Sequence, residues 1–244
     1  MKHLNLFLAC LIGAASANAA ITFSSQTFRQ TNASDAIDET WVSTSGTLLD
    51  ATNVSGATTS VGGVTWTGRT GDEIDWKGSG TTAHTSLSEP NVAYASSWNQ
   101  FFTGGTDLLT TGGYGDNKGA LVFNNLVADQ QYLVQLVLAD SRGGSDGRNI
   151  AISEATVSGA TVTDSGTPLT GLQYACSDAA GDTGFVVVDA VFTNDADFKG
   201  AISLDVSSGA EYQLNAYQLR AIPEPSSMAL LGLGGLALIL RRRK

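Results

Sequence analysis

Short runs of β-branched, aromatic and other apolar residues follow one another along the chain, each cut off by a turn rich in glycine, aspartate or serine. Residues 21–28, 63–67 and 120–123 alternate in part, and residues 132–139, 150–157, 184–193, 201–206 and 212–219 form longer runs. A period of two lays side chains on one face of a sheet, whereas a helix face needs spacings of three and four, which no stretch here sustains. Turn-forming residues at 112–113, 143–147, 178–184 and 207–209 separate the runs. Many short strands without helices between them predict an all-β chain, an antiparallel β-sandwich and not an α/β fold. Residues 132–139, Tyr-Leu-Val-Gln-Leu-Val-Leu-Ala, are nearly all apolar and predict a central strand covered on both faces. In the last run Gln213, Asn215 and Tyr217 alternate with Tyr212, Leu214 and Ala216, which predicts a polar-leaning face toward solvent or a ligand. Residues 30–60 are rich in Ser, Thr, Asn and Ala and predict long loops with one edge strand.

The two ends differ from this body. Residues 1–19 carry Lys2, an apolar run from Leu4 to Ile12 and the small-x-small pattern Ala17-Asn18-Ala19, the layout of a secretory signal peptide removed before Ala20. Removal takes Cys10 with it and leaves Cys176, so the mature chain has no internal disulfide and Cys176 reads as a buried apolar side chain. At the other end Pro223-Glu224-Pro225 fixes an extended backbone, because each ring locks φ and keeps its predecessor out of the helical region. The uncharged run from Met228 to Leu240 follows, read with its flank as a single membrane helix over 227–240. That run is ~20 Å long as a helix, short of a ~30 Å hydrocarbon core, and spans it where the flanking side chains reach for the interface. Arg241, Arg242, Arg243 and Lys244 then hold the cytoplasmic side, which puts the domain before Pro223 on the far side of the membrane.

A Pro-Glu-Pro motif, a short Gly-containing apolar helix and a basic end resemble the PEP-CTERM sorting signal of Gram-negative bacteria. The resemblance covers residues 222–244 and implies an exosortase that recognises Pro223, Glu224 and Pro225, cuts near them and passes the protein from an inner-membrane precursor toward the surface. Arg241 to Lys244 would stop the helix until that cut. Residues 20–220 read as one β-sandwich domain, and within it the stretch from about Ala120 to Arg220, with its Tyr132-Leu-Val-Gln-Leu, Val188-Asp-Ala-Val-Phe-Thr and Gln213-Leu-Asn-Ala-Tyr-Gln-Leu-Arg strings, resembles the jelly-roll, galactose-binding-like domains of exported proteins of this kind. Such proteins often accompany exopolysaccharide, which implies a non-catalytic carbohydrate-binding, adhesive or structural role in the extracellular matrix.

Charge narrows the partners. The chain carries 23 acidic against 13 basic side chains for a net charge of −10, and loss of both ends removes five bases and one acid. Without clustered Lys and Arg in the body, nucleic acid is excluded as a partner. A Ser-His-Asp site needs a positioned histidine, and His84, the one histidine of the mature chain, lies in a Thr- and Ser-rich stretch that reads as an exposed loop. One His and one Cys do not make a zinc site. Asp72, Glu73 and Asp75 beside Trp76 keep open the alternative of a glycoside hydrolase or lyase working through surface carboxylates, against the plainer reading of a solvated acidic turn. No cofactor is expected. Calcium is the ion that the oxygen-rich stretches 178–182 and 194–197 would suit, yet neither has EF-hand spacing, and turn chemistry by Asp and Asn accounts for both. For sugar contacts the sequence points to Trp76 as a stacking platform and to Arg142 and Arg148 around a Gly-rich loop as hydrogen-bond donors. Replacing Pro223, Glu224 and Pro225 together by alanine should leave the protein uncut in the inner membrane, which intact mass of the recovered chain will read directly.

Overall fold

The computed structural model describes residues 21–30, 38–79, 108–109, 111–116, 118–139, 149–173, 183–206 and 211–223. The first sheet has seven strands in the order β1 (Thr22–Gln30), β11 (Thr183–Thr193), β8 (Gln131–Leu138), β14 (Ala216–Ile222), β2 (Thr47–Val54), β4 (Val64–Arg69) and β3 (Thr59–Val61). The second has five, β10 (Thr161–Gln173), β9 (Asn149–Ser158), β12 (Ala201–Val206), β7 (Lys118–Val122) and β5 (Trp76–Ser79). A ribbon of β13 (Glu211–Leu214) and β6 (Gly113–Asp116) stands beside them. Among the described residues all strand pairings are antiparallel except β2 with β4. The expected all-β sandwich is what forms.

The core between the sheets follows the period-two pattern of the sequence. Tyr132, Val134, Leu136 and Leu138 of β8 and Val186, Val188, Ala190 and Phe192 of β11 meet Ile150, Ile152, Ile202, Leu204, Leu121 and Trp76 of the second sheet. The alternate positions are apolar too. Val137, Ala139, Phe185 and Val187 face a second cluster on the outer side with Trp41, Val42, Val64, Trp66, Leu108 and Leu109. Phe185 sits between Phe28, stacked with centroids 4.8 Å apart, and Trp41, edge-on at 5.4 Å. Strand β8 is thus covered on both faces, as its unbroken apolar run predicts.

That outer layer is held by a polar ladder. Gln135 of β8 lies opposite Asp189 of β11 and Gln218 of β14 in register. Its amide nitrogen donates to Asp189 at 2.7 Å and to the Trp41 carbonyl at 2.9 Å, and its oxygen accepts from Gln218 at 2.8 Å. The Arg220 guanidinium continues the row, donating to Gln218 at 3.0 Å and to the carbonyls of Thr44, Ser45 and Gly46 at 2.8–3.1 Å. Burial raises the Asp189 carboxyl and lowers the Arg220 guanidinium from their ordinary pKa values. Buried amides need partners, so this ladder fixes residues 41–46 as a strap across the sheet.

Two expectations are corrected. Residues 30–60 hold more than loops with an edge strand: β2 lies inside the sheet between β14 and β4, and its second half from Ala51 to Val54 is fully covered. The last run is two strands, broken at Asn215, whose side chain accepts from the Ala139 N–H at 2.7 Å and donates to the carbonyls of Leu109 and Thr111 at 3.0 and 2.7 Å. Its polar-leaning face does not meet solvent, because Gln213, Asn215 and Tyr217 are buried under neighbouring elements.

Close packing also explains a glycine. Gly119 of β7 lies where an added Cβ would come 2.3 Å from Trp76 Cζ2 and 2.5 Å from the Tyr212 hydroxyl, and those two side chains are joined by an indole N–H donating to that hydroxyl at 3.2 Å. Overpacking of this kind costs about 1–3 kcal/mol. Gly119→Ala should lower folding stability by that order, read as a shifted midpoint in urea denaturation.

Candidate binding cleft

A cleft of about 360 Å³ opens between the two sheets, with one wall from β2, β4 and β14 and the other from the end of β7 and the turn before β5. The first wall is built on Asp50. Its carboxylate takes the Arg69 guanidinium at 2.8 Å, the Tyr217 hydroxyl at 3.0 Å and, more loosely, the Thr52 hydroxyl at 3.3 Å. Strand pairing sets the positions: Leu219 lies opposite Asp50 and Tyr217 opposite Thr52 in β2, and the parallel pairing of β2 with β4 brings Arg69 alongside Val54. Arg69 is held above its usual pKa: burial works against its charge, and the Asp50 carboxylate outweighs that. Burial first, and then the nearby carboxylate, push the Tyr217 phenol up to about 12.

The opposite wall is formed by Leu121 and Val122 at the end of β7 and by Phe123, Asn124 and Asn125 in the turn that follows. Asn125 has φ of 62°, a left-handed turn conformation that Asn accepts more readily than bulkier residues. Phe123 is half-buried, tilted against Phe192 at 6.2 Å, and Asn124 and Asn125 are exposed. At the floor, Glu73 accepts from the Thr70 N–H at 2.8 Å and its hydroxyl at 3.1 Å, which holds its carboxyl below the ordinary range. Asp75 accepts from the Asn124 amide and faces Lys77 at 3.3 Å. The cleft therefore presents fixed carboxylate acceptors, a guanidinium, two side-chain amides and the rings of Phe123 and Tyr217, the mixture that suits a neutral, hydroxyl-rich ligand.

The structure treats the sequence candidates unequally. Glu73 and Asp75 line the cleft, while Asp72 is exposed and does not. Trp76 is no stacking platform: its ring is fully buried between the sheets, because β5 closes the edge of the second sheet and turns that side chain inward. In the stretch 194–197, Asp195 accepts from the N–H groups of Asp197 and Phe198 at 2.8 and 3.2 Å, a local turn, and Asn194 donates to the carbonyls of Leu126 and Val127, which ties that turn to the one before β8. Among the described residues no group of three acidic, His or Cys side chains is placed to hold a metal ion. Pro223 is exposed just past β14. Arg142, Arg148, Glu224, Pro225, Arg241 to Lys244, His84, Cys176, the stretch 178–182 and both terminal segments lie outside the described residues. Among the described residues no helix is long and apolar enough to cross a membrane. Sequence reading placed Tyr217 on a face toward solvent or a ligand, and it lines the cleft; it missed Asp50, Arg69 and the pair Phe123–Asn124, for which only the aromatic placed directly before Asn-Asn offered a local signal.

Tyr217 supplies a pH test. An unfolded tyrosine ionises near 10, and this one near 12, so its contribution to stability is complete below pH 10 and is lost as pH rises through about 12. Tyr217→Phe should remove that alkaline decline, on the order of 2 kcal/mol, when urea midpoints are compared below pH 10 and near pH 12.

Comparison with known proteins adds the following. No curated protein matches the chain. Among solved structures, a β-glucuronidase of Bacteroides uniformis is 16% identical with a TM-score of 0.37, covering 71% of this chain and 18% of that one. The extracellular domain of ANXUR2 from Arabidopsis thaliana is 10% identical with a TM-score of 0.30, covering 73% of this chain and 49% of that one. The chain thus spans less than a fifth of the glucuronidase. Residues 221–244 match the PEP-CTERM protein-sorting motif, which makes this a secreted, exosortase-processed protein with a membrane-anchored precursor.

Proposed function

We propose that the mature protein is a non-catalytic component of the cell surface or exopolysaccharide matrix of a Gram-negative bacterium and that it binds neutral sugar units in the cleft between its sheets. The observation that carries this reading is the facing of the Asp50–Arg69–Tyr217 wall by Phe123, Asn124 and Asn125 across about 360 Å³. A half-buried ring supports a pyranose face, and the flanking amides and carboxylates bond its hydroxyls. The carboxylates of the cleft already accept hydrogen bonds: Asp50 from three side chains, Glu73 from Thr70 and Asp75 from Asn124. A general acid needs a carboxyl kept protonated near neutral pH, and the low-lying Glu73 is the reverse of that.

The rival reading is an extracellular carbohydrate-active enzyme using Glu73 and Asp75. Both are tested on the producer's own polysaccharide. Retention of the protein without release of reducing sugar, weakened roughly tenfold by Phe123→Ala, which corresponds to about 1.4 kcal/mol, is the expected result. Release of reducing sugar that disappears in Glu73→Gln or Asp75→Asn would replace binding by catalysis. Retention unaffected by Phe123→Ala and Asn124→Ala would remove the cleft from the account.

A further inference from the structure

The large apolar side chains that stand exposed among the described residues are Leu48, Leu49 and Val127, at 38%, 51% and 66%. Isolated exposed apolar residues are ordinary, but these share one end of the sandwich. Leu48 lies opposite Arg220 and Thr47 opposite Ala221, so the start of β2 flanks the end of β14, with Leu49 in the bulge between Leu48 and Asp50. Val127 belongs to the turn that leads into β8, whose first residue Gln131 pairs with Ile222. Gln130 in that turn donates to the Ile222 carbonyl at 2.5 Å. The patch therefore surrounds the point where the chain leaves the sheet for its sorting motif.

The length of chain beyond that point fixes what the patch meets. Five residues, 223–227, separate Ile222 from Met228, where the uncharged run begins. At no more than ~3.5 Å each they reach under about 20 Å. A headgroup layer takes up about 5–8 Å of that, from ~30 Å of hydrocarbon within a bilayer of about 40–45 Å. We propose that, in the anchored precursor, this end of the sandwich rests on the bilayer, with Leu48, Leu49 and Val127 entering the lipid interface. Asp129, Asp195 and Asp197 with Lys199 lie in the adjoining turns and leave this end weakly anionic, so the contact is apolar and not an attraction to anionic lipid. Asn124 and Asn125 of the cleft share the turn of Val127, so the same contact crowds the cleft until the tail is cut.

The inference rests on the membrane-anchored precursor and is independent of the sugar reading. Its test uses the full chain in vesicles of phosphatidylethanolamine and phosphatidylglycerol, with a benzophenone-bearing amino acid placed at Leu49, at Val127 or, at the opposite end of the sheet, at Ala57. After irradiation, intact mass should show lipid adducts several-fold more abundant at Leu49 and Val127 than at Ala57. Leu48→Ser with Leu49→Ser should reduce the adduct at Val127 while the chain still floats with the vesicles. Equal adducts at all three sites, or none in a chain that floats, would overturn the seated orientation while leaving anchoring intact. A chain that does not float would sink the anchored precursor and this inference with it.

Discussion

The pairing of β14 between β8 and β2 is the constraint on which the other features depend. One face of this strand places Gln218 and Arg220 in the ladder that fixes the strap of residues 41–46. Its other face contributes Tyr217 and Leu219 to the cleft. Its first residue follows Asn215, which ties Leu109 and Thr111 to Ala139 at the end of β8, and its last residue is the point of departure for the sorting motif. Slippage of one residue would exchange the two faces, putting Gln218 into the cleft and Tyr217 under the strap. Register here is therefore specified from both sides.

Electrostatics divide the same way. The acidic chain keeps several of its carboxylates in local pairings: Asp50 with Arg69, Asp75 with Lys77, and Asp164 and Asp205 sharing Lys118 at 2.6 and 2.7 Å. Exposed pairs of this sort add little stability each. Their value lies in position, since Asp50 with three donors cannot swing away from the cleft wall. Inside the sheet the Asp189 carboxyl accepts from the Gln135 amide and the Arg220 guanidinium is matched to backbone carbonyls, which keeps the ladder compatible with burial.

Much of the sandwich was legible because strands such as β8, β11 and β12 carry dense apolar character and turn residues at their ends. What escaped was of two kinds. Strand β2 buries Thr52 and Asn53, whose polarity reads as loop until the bonds of Thr52 to Asp50, of Asn53 to the Ala57 carbonyl and of the Thr111 hydroxyl to Asn53 are known. The cleft escaped because Asp50, Arg69, Tyr217 and Phe123 come from four separate strands or turns, and their meeting is set by sheet order, including the parallel pair β2 and β4, which local pattern does not encode. Trp76 shows the opposite error. A tryptophan among charged neighbours looked exposed, yet an edge strand faces its alternate residues inward whatever their sequence neighbours are.

The order of strands also governs when this domain can close. A chain made from its N-terminus delivers β14 last, although it occupies an interior place in the larger sheet. Until that strand is made, β8 and β2 have no common neighbour, and the ladder that clamps residues 41–46 lacks Gln218 and Arg220. Closure of the larger sheet therefore waits for the last strand of the domain, and a chain cut short before Ala216 would leave β8 and β2 without the strand they share.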